Sequence, residues 1–390
     1  MRAVIVLMLI ALTLWAREAT MLPSTFALLE NVQDMMGEKR YDEAAAKLES
    51  AAATLQKRPY DLAFVLHTRA YVALAIDRYG EAADYFKRAL ALNALPENTR
   101  LATLLTLAQL YLMERKTDEA IALLKSWEKA AKEPDPRGFL LLASAYLDKN
   151  DYLSAYEPLK KAVALSLEPP VSWVRTLAAV CVQLQKYDEA AVHYKNLVAH
   201  SEATRADWMG LFYVLVTQNK EAAALDALQA ALADGAIEEE NDLLTLSRMQ
   251  LSKGVPIRAA RLIEQAIKEG RLAQKPATYE LYAHALRLAR EHRAMLEALK
   301  TGAALEGGAK LYEPLAHGAY ETGAYEACIQ AAAKALAHTP KNPGTLWLLR
   351  GSAAYELKRY GDAREAFREA QKHEKSRDQA RRWLGYLRTL

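Results

Sequence analysis

A residue kept small, Met295 excepted, returns ten times along the chain at intervals of 33 to 38: Ala44, Ala82, Ala120, Ala155, Ala190, Ala224, Ala259, Met295, Cys328 and Ala363. In six of these registers a Tyr stands three residues earlier. An interval of that length holds one helix pair, which has too little apolar surface to close a core alone and must lean on the next pair. The spacing predicts a stacked array of helix pairs, in which the 390 residues count repeats rather than the size of one core. Gly, at 16, and Pro, at 13, are modest, and no stretch alternates apolar and polar residues over a strand's length, so an all-α chain is expected.

Repeat four shows the internal pattern. Phe139, Leu142, Ala143 and Tyr146 mark one helical face, and Tyr152, Ala155, Leu159 and Ala162 mark the next. Large residues fill the space between helices, while Ala143 and Ala155 let the two backbones approach. The same template fits repeat three (Leu104, Leu107, Ala108, Tyr111, Ala120, Leu124), repeat five (Val174, Leu177, Ala178, Tyr187, Ala190, Tyr194, Leu197) and repeat ten (Trp347, Gly351, Tyr360, Ala363, Phe367, Ala370). At these residues the chain resembles the tetratricopeptide repeat family. The turns Arg40-Tyr41-Asp42-Glu43-Ala44, Arg78-Tyr79-Gly80-Glu81-Ala82 and Lys186-Tyr187-Asp188-Glu189-Ala190 carry its signature, and Pro340 sits where that family ends a repeat. The resemblance runs from about residue 24 to 375 and implies a superhelical solenoid of about ten helix-turn-helix repeats.

Several units depart from the pattern. Repeat six has Glu221 and repeat seven Pro256 where Tyr is usual, and repeat eight puts Met295 at the small site, so repeat eight is expected to be splayed or irregular. Pro158 falls inside the second helix of repeat four and should kink it. Residues 376–390, with Trp383, Leu384 and Leu387 on one face amid charge, read as a C-terminal capping helix.

Ahead of the array, Arg2 precedes an apolar run from Ala3 to Ala16, and Arg17 and Glu18 then restore polarity. This layout predicts a secretory signal peptide, or an uncleaved N-terminal anchor, over residues 1–19. Ala16 and Ala19 offer cleavage positions, although Leu14 and Arg17 match the minus-three site poorly; no Cys follows the run, so a lipoprotein anchor is not expected. The formal charge is only +3, yet residues 358–390 hold ten Lys or Arg against five Asp or Glu. A basic end suits a solvated last helix, a membrane surface or an acidic partner. Neither an arginine-rich run nor an aromatic platform accompanies it, so nucleic acid is not expected as a partner. Cys181 and Cys328, four repeats apart, read as small core residues beyond disulfide reach.

No phosphate-cradling glycine loop, nucleophile elbow, His-Glu-x-x-His or paired-cysteine motif occurs, so no catalytic residues and no cofactor are assigned. One constellation could hold a metal. Glu280 and His284 are four apart in repeat eight, and Glu313 and His317 hold the equivalent positions in repeat nine. An ordinary helix-surface pair is the stronger reading of each spacing, so no metal is assigned. The tetratricopeptide resemblance implies that such positions line a concave, partner-binding face. Carried across the chain, that face takes Phe64, His67, Tyr71, Leu74, Leu105, Gln109, Leu112, Leu140 and Leu147 in repeats two to four and Arg175 and Tyr213 in repeats five and six. Repeats seven to nine add Arg248, Glu280, His284, Arg287, Lys310, His317 and Tyr320. One end is apolar, the other polar and basic. The lysine and asparagine set that clamps a C-terminal carboxylate in chaperone-binding members is missing.

An exported helical array without catalytic residues is expected to be a periplasmic protein–protein interaction scaffold, either released by cleavage or held at the inner membrane by residues 1–19. The stretches Leu101 to Trp127, Pro256 to Glu264 and Ser376 to Leu387 resemble the exported tetratricopeptide protein found alongside TonB, ExbB and ExbD. That resemblance implies a role accessory to TonB-type energy transduction for uptake of iron complexes, with those membrane proteins as partners. Two alternatives stay open: a scaffold for envelope or outer-membrane assembly, and a carrier of a metal or small ligand.

Overall fold

The computed structural model describes residues 21–389; the signal or anchor reading of residues 1–19 lies outside them. The described residues fall into two compact units divided between Glu202 and Ala203. The first holds five antiparallel helix pairs: α1 (Pro23–Gly37) with α2 (Tyr41–Thr54), α3 (Pro59–Ala75) with α4 (Tyr79–Ala91), α5 (Glu97–Met113) with α6 (Thr117–Ala130), α7 (Pro136–Asp148) with α8 (Tyr152–Leu165), and α9 (Val171–Gln183) with α10 (Tyr187–Val198). The second holds another five: α11 (Arg205–Thr217) with α12 (Glu221–Ala233), α13 (Glu240–Ser252) with α14 (Pro256–Lys268), α15 (Pro276–Leu288) with α16 (His292–Ala304), α17 (Tyr312–Glu321) with α18 (Tyr325–Ala337), and α19 (Pro343–Glu356) with α20 (Tyr360–Gln371). A last helix, α21 (Arg377–Tyr386), follows. No strand occurs among the described residues.

Helix starts follow from chemistry the chain supplies locally. Pro23, Pro59, Pro136, Pro256, Pro276 and Pro343 occupy first turns, where a missing N–H costs nothing. At α11 the Thr204 hydroxyl and the Asp207 carboxylate cap each other's backbone N–H groups. The turn inside each pair is one device repeated ten times. The residue five before each recurring small site, from Lys39 and Asp77 to Gly323 and Lys358, is left-handed, with φ between 57° and 74°. The next amide reaches back to the helix, as in Arg40 N to Met35 O at 2.8 Å and Arg359 N to Ala354 O at 2.8 Å. This is the Schellman closure of a helix C-terminus. Only Gly254 and Gly323 are glycines at these positions.

The recurring sites are the contact points of each pair. Nine of them are 0% exposed and Met295 is 3%. A side chain of that size lets two backbones come within reach, and the larger neighbours Leu48, Phe86, Leu124, Leu159, Leu197, Leu228, Ile263 and Phe367 then fill the seam. Both cysteines are buried and free, and burial pushes their thiols up to about 11 for Cys181 and about 12 for Cys328.

One expected irregularity takes a different form. Repeat eight is not splayed: α15 and α16 pack as the other pairs do, and Met295 is accommodated because α17 offers Gly318 opposite it. A Cβ at Gly318 would stand 2.7 Å from Met295 Cε. The irregularity passes instead to the next pair, whose first helix is only 10 residues long and is preceded by a 3₁₀ turn, Gly308–Leu311. Pro158 lies inside α8, which continues through it as one helix, with the proline buried. At the C-terminal end, α21 stacks Trp383 flat on Phe367 at 5.1 Å and buries Leu387, whose carbonyl accepts from Arg364 Nη2 at 2.8 Å.

Candidate functional site

The first helices of the pairs carry the predicted surface, and the structure sorts its residues into three groups. Phe64 and His67 are corrected: at 6% and 4% exposed they belong to the interior of the first unit, not to an open face. The physical reason is local. Residues 61–73 of α3 are all buried, and the His67 ring is wedged 5.0 Å from Tyr71 and 5.6 Å from Phe86. Burial lowers the His67 pKa to about 4, and its Nδ1 has no hydrogen-bond partner.

A second group lines neither of the two cavities that gather the third. Arg175 is half-buried, Tyr213 is 58% exposed and Arg248 is exposed. Tyr320 is half-buried, edge-on to Tyr325 at 5.7 Å.

The third group does converge, at two places. In the first unit a cavity of about 640 Å³ opens among α3, α5 and α7. Tyr71 and Leu74 from α3, Leu101, Ala102 and Leu105 from α5 and Leu141 from α7 line it with apolar surface, and Gln109, Asn98 and Thr106 bring polar groups to it. Trp127 closes the floor, edge-on to Phe139 at 5.3 Å. Its position depends on Gly138, where a Cβ would lie 2.3 Å from the Trp127 ring. Sequence reasoning missed the rim: Glu133 and Asp135 from the connection between α6 and α7, and Arg137 from the first turn of α7. The Pro-bracketed acidic run Glu133-Pro134-Asp135-Pro136 was the available signal. Burial draws the Asp135 carboxyl upward, but hydrogen bonds from the Arg137 side chain and amide outweigh it and hold the group below its ordinary range.

In the second unit a cavity of about 460 Å³ gathers the predicted Glu280, His284, Arg287, Glu313 and His317, together with Glu321. The expected basic character is corrected here: three carboxylates face one lining guanidinium. Glu321 continues the α17 row at i, i+4, i+8 from Glu313, a spacing already visible in the sequence. Lys310 Nζ bonds Glu280 Oε2 at 2.8 Å, and Arg287 Nη2 lies 3.3 Å from His284 Nδ1. Those contacts engage two of the four candidate ligands, and among the described residues no three His, Cys, Asp or Glu side chains gather around a common point for an ion.

Comparison with known proteins bears on the first unit. Residues 73–145 match the tetratricopeptide repeat family, and residues 128–197 match the family of anaphase-promoting complex, cyclosome, subunit 3. The fold is a tetratricopeptide-repeat solenoid. No curated protein matches the chain. Solved structures, some described as tetratricopeptide repeat proteins, overlap it partially. One from Parabacteroides merdae is 17% identical over 67% of this chain and 99% of its own, with a TM-score of 0.39. YrrB, described as a protein of this repeat with an unusual peptide-binding site, is 14% identical over 47% and 90%, with a TM-score of 0.39. PilF of Pseudomonas aeruginosa is 16% identical over 53% and 90%, with a TM-score of 0.37.

Proposed function

We propose that the chain is a non-enzymatic scaffold that holds a segment of another protein in the cavity of its first unit. Tetratricopeptide repeats bind other proteins, and the single observation that carries the proposal here is the cavity's build. Its volume lies in the range of about 300–1,000 Å³ typical of ligand sites, and an apolar lining with a few polar groups is what anchors a partner's side chains. Tyr71, Leu74, Leu105 and Leu141 would take an apolar anchor, while Gln109, Asn98 and Thr106 would fix its backbone.

The proposal extends to place and partner. The layout of residues 1–19 supports export to the periplasm, cleaved or anchored, and the repeat wording supports a role beside TonB, ExbB and ExbD in uptake of iron complexes. None of the described helices is long and apolar enough to cross a membrane. The test is photo-crosslinking in living cells from Gln109, which is exposed and lines the cavity, with exposed Ala122 on α6 as the control. Capture of a TonB- or ExbD-type protein from position 109 and not from 122 is expected. Capture of barrel-assembly factors would move the role to envelope assembly, and an empty lane from both positions would remove the cavity from the proposal.

A further inference from the structure

The cavity of the second unit has a chemistry of its own. Two rows of side chains wall it: Glu280, His284 and Arg287 from α15, and Glu313, His317 and Glu321 from α17. Met295 and Leu299 from α16, both nearly buried, give it an apolar floor. On the α15 row Glu280 pairs with Lys310, and the His284 ring accepts from Arg287, whose own charge has no carboxylate partner among the described residues. On the α17 row Glu313, His317 and Glu321 have no hydrogen bond or ion pair among the described residues. Two carboxylates without a bonded partner thus face the cavity, against a single lining guanidinium, over a floor suited to an aliphatic stem.

From this geometry we propose that the second cavity is a docking site for a partner segment bearing lysine or arginine. The proposal rests on the scaffold reading above and adds the chemical class of a second ligand. A long cationic side chain fits both parts of the site, because its methylenes can lie on Met295 and Leu299 while its head reaches a carboxylate. Glu313 and Glu321 are eight residues apart on one helix, about 12 Å along its axis. An extended segment covers that distance in about four residues, so two basic residues at i and i+4 match the two carboxylates. Arg287 and Lys310, already engaged with the α15 row, disfavour a second cation on that side and select the α17 side. Any competing anionic ligand would have to approach three carboxylates, which charge opposes.

The probe is a fluorescein-labelled peptide, Ala-Arg-Leu-Ala-Leu-Arg-Ala, titrated with the full chain and read by anisotropy. Saturable binding is expected, weakened about tenfold or more by glutamine in place of both arginines and by the double variant Glu313→Gln, Glu321→Gln. Raising salt from about 0.05 M to about 0.5 M should weaken it as well, since the carboxylates are partly in water. Glu321→Arg, at an exposed position, should weaken binding more than Glu321→Gln, and an unchanged far-ultraviolet circular dichroism spectrum and thermal melt in each variant show that the loss comes from charge and not from misfolding. Absence of binding, equal binding of the glutamine probe, or full affinity in the double variant would each overturn the proposal. Gln109→Ala, in the other unit, should leave the peptide's affinity unchanged. Binding here with no crosslink from position 109 would therefore refute the first cavity's role and keep this one.

Discussion

Burying His67 without a partner should make the first unit acid-sensitive in a way one substitution can remove. The ring sits against Tyr71 and Phe86, 4% exposed, and burial holds its pKa down at about 4 against an ordinary 6.5. Because the folded-state pKa is depressed, the unfolded chain takes the proton first. The His67 contribution is therefore fully present above about pH 6.5 and is lost as pH falls toward 4. The shift of about 2.5 units caps the effect at roughly 3 kcal/mol, and between pH 7 and pH 5 the loss comes to about 2 kcal/mol. A repeat array need not unfold as one body, so the assay must read the helices concerned. Amide hydrogen exchange in α3 and α4, corrected for intrinsic rates, should show protection falling about 30-fold from pH 7 to pH 5. In His67→Leu, which keeps an apolar side chain of similar volume, the same step should be nearly flat. Equal losses in the two proteins, or a ring titration of His67 by NMR near 6.5, would refute the reasoning.

Other consequences follow from packing and backbone. Gly138→Ala drives a Cβ into Trp127 and should cost about 1–3 kcal/mol, with a change in Trp fluorescence and weaker capture from Gln109, because Trp127 floors the first cavity. Gly318→Ala should destabilise α16 and α17 similarly, and Met295→Ala should recover most of that loss; no recovery in the thermal melt would mean that the two residues do not compensate each other. Arg115, left-handed at φ 59°, should gain about 1 kcal/mol when changed to Gly, whereas Gly254→Ala, at φ 73°, should lose about that much, both read by urea titration of the full chain.

What was legible in the sequence was whatever repeats within one helix pair. Ala44 through Ala363 announced themselves by interval, and their complete burial follows from the size a backbone contact allows. The left-handed turn residues recur at the same interval, yet Lys39, Arg115, Gln185 and Lys358 occupy them, and no residue type marks the position. Compensation between pairs was also hidden, since Gly318 makes sense only once Met295 is seen against it. Phe64 and His67 hold surface positions of the pattern but lie inside, because α3 is enclosed on every side, which a single helical wheel does not show.

The same division explains where function can reside. Ten turns closed by the same hydrogen bond and ten seams built on the same contact hold the backbone of every pair nearly constant. Selectivity between partners must then come from first-helix side chains and from the connections between pairs, where the residues are free to differ. The two cavities differ in just those places. The first takes its apolar lining from α3, α5 and α7 and its rim from the α6–α7 connection, and the second takes its unpaired carboxylates from α17 and its balancing lysine from the 3₁₀ turn before it. A substitution at a second-helix position that lines neither cavity, such as exposed Ala122 on α6, should therefore leave both affinities unchanged, while replacing Glu313 and Glu321 by glutamine should weaken one and spare the other.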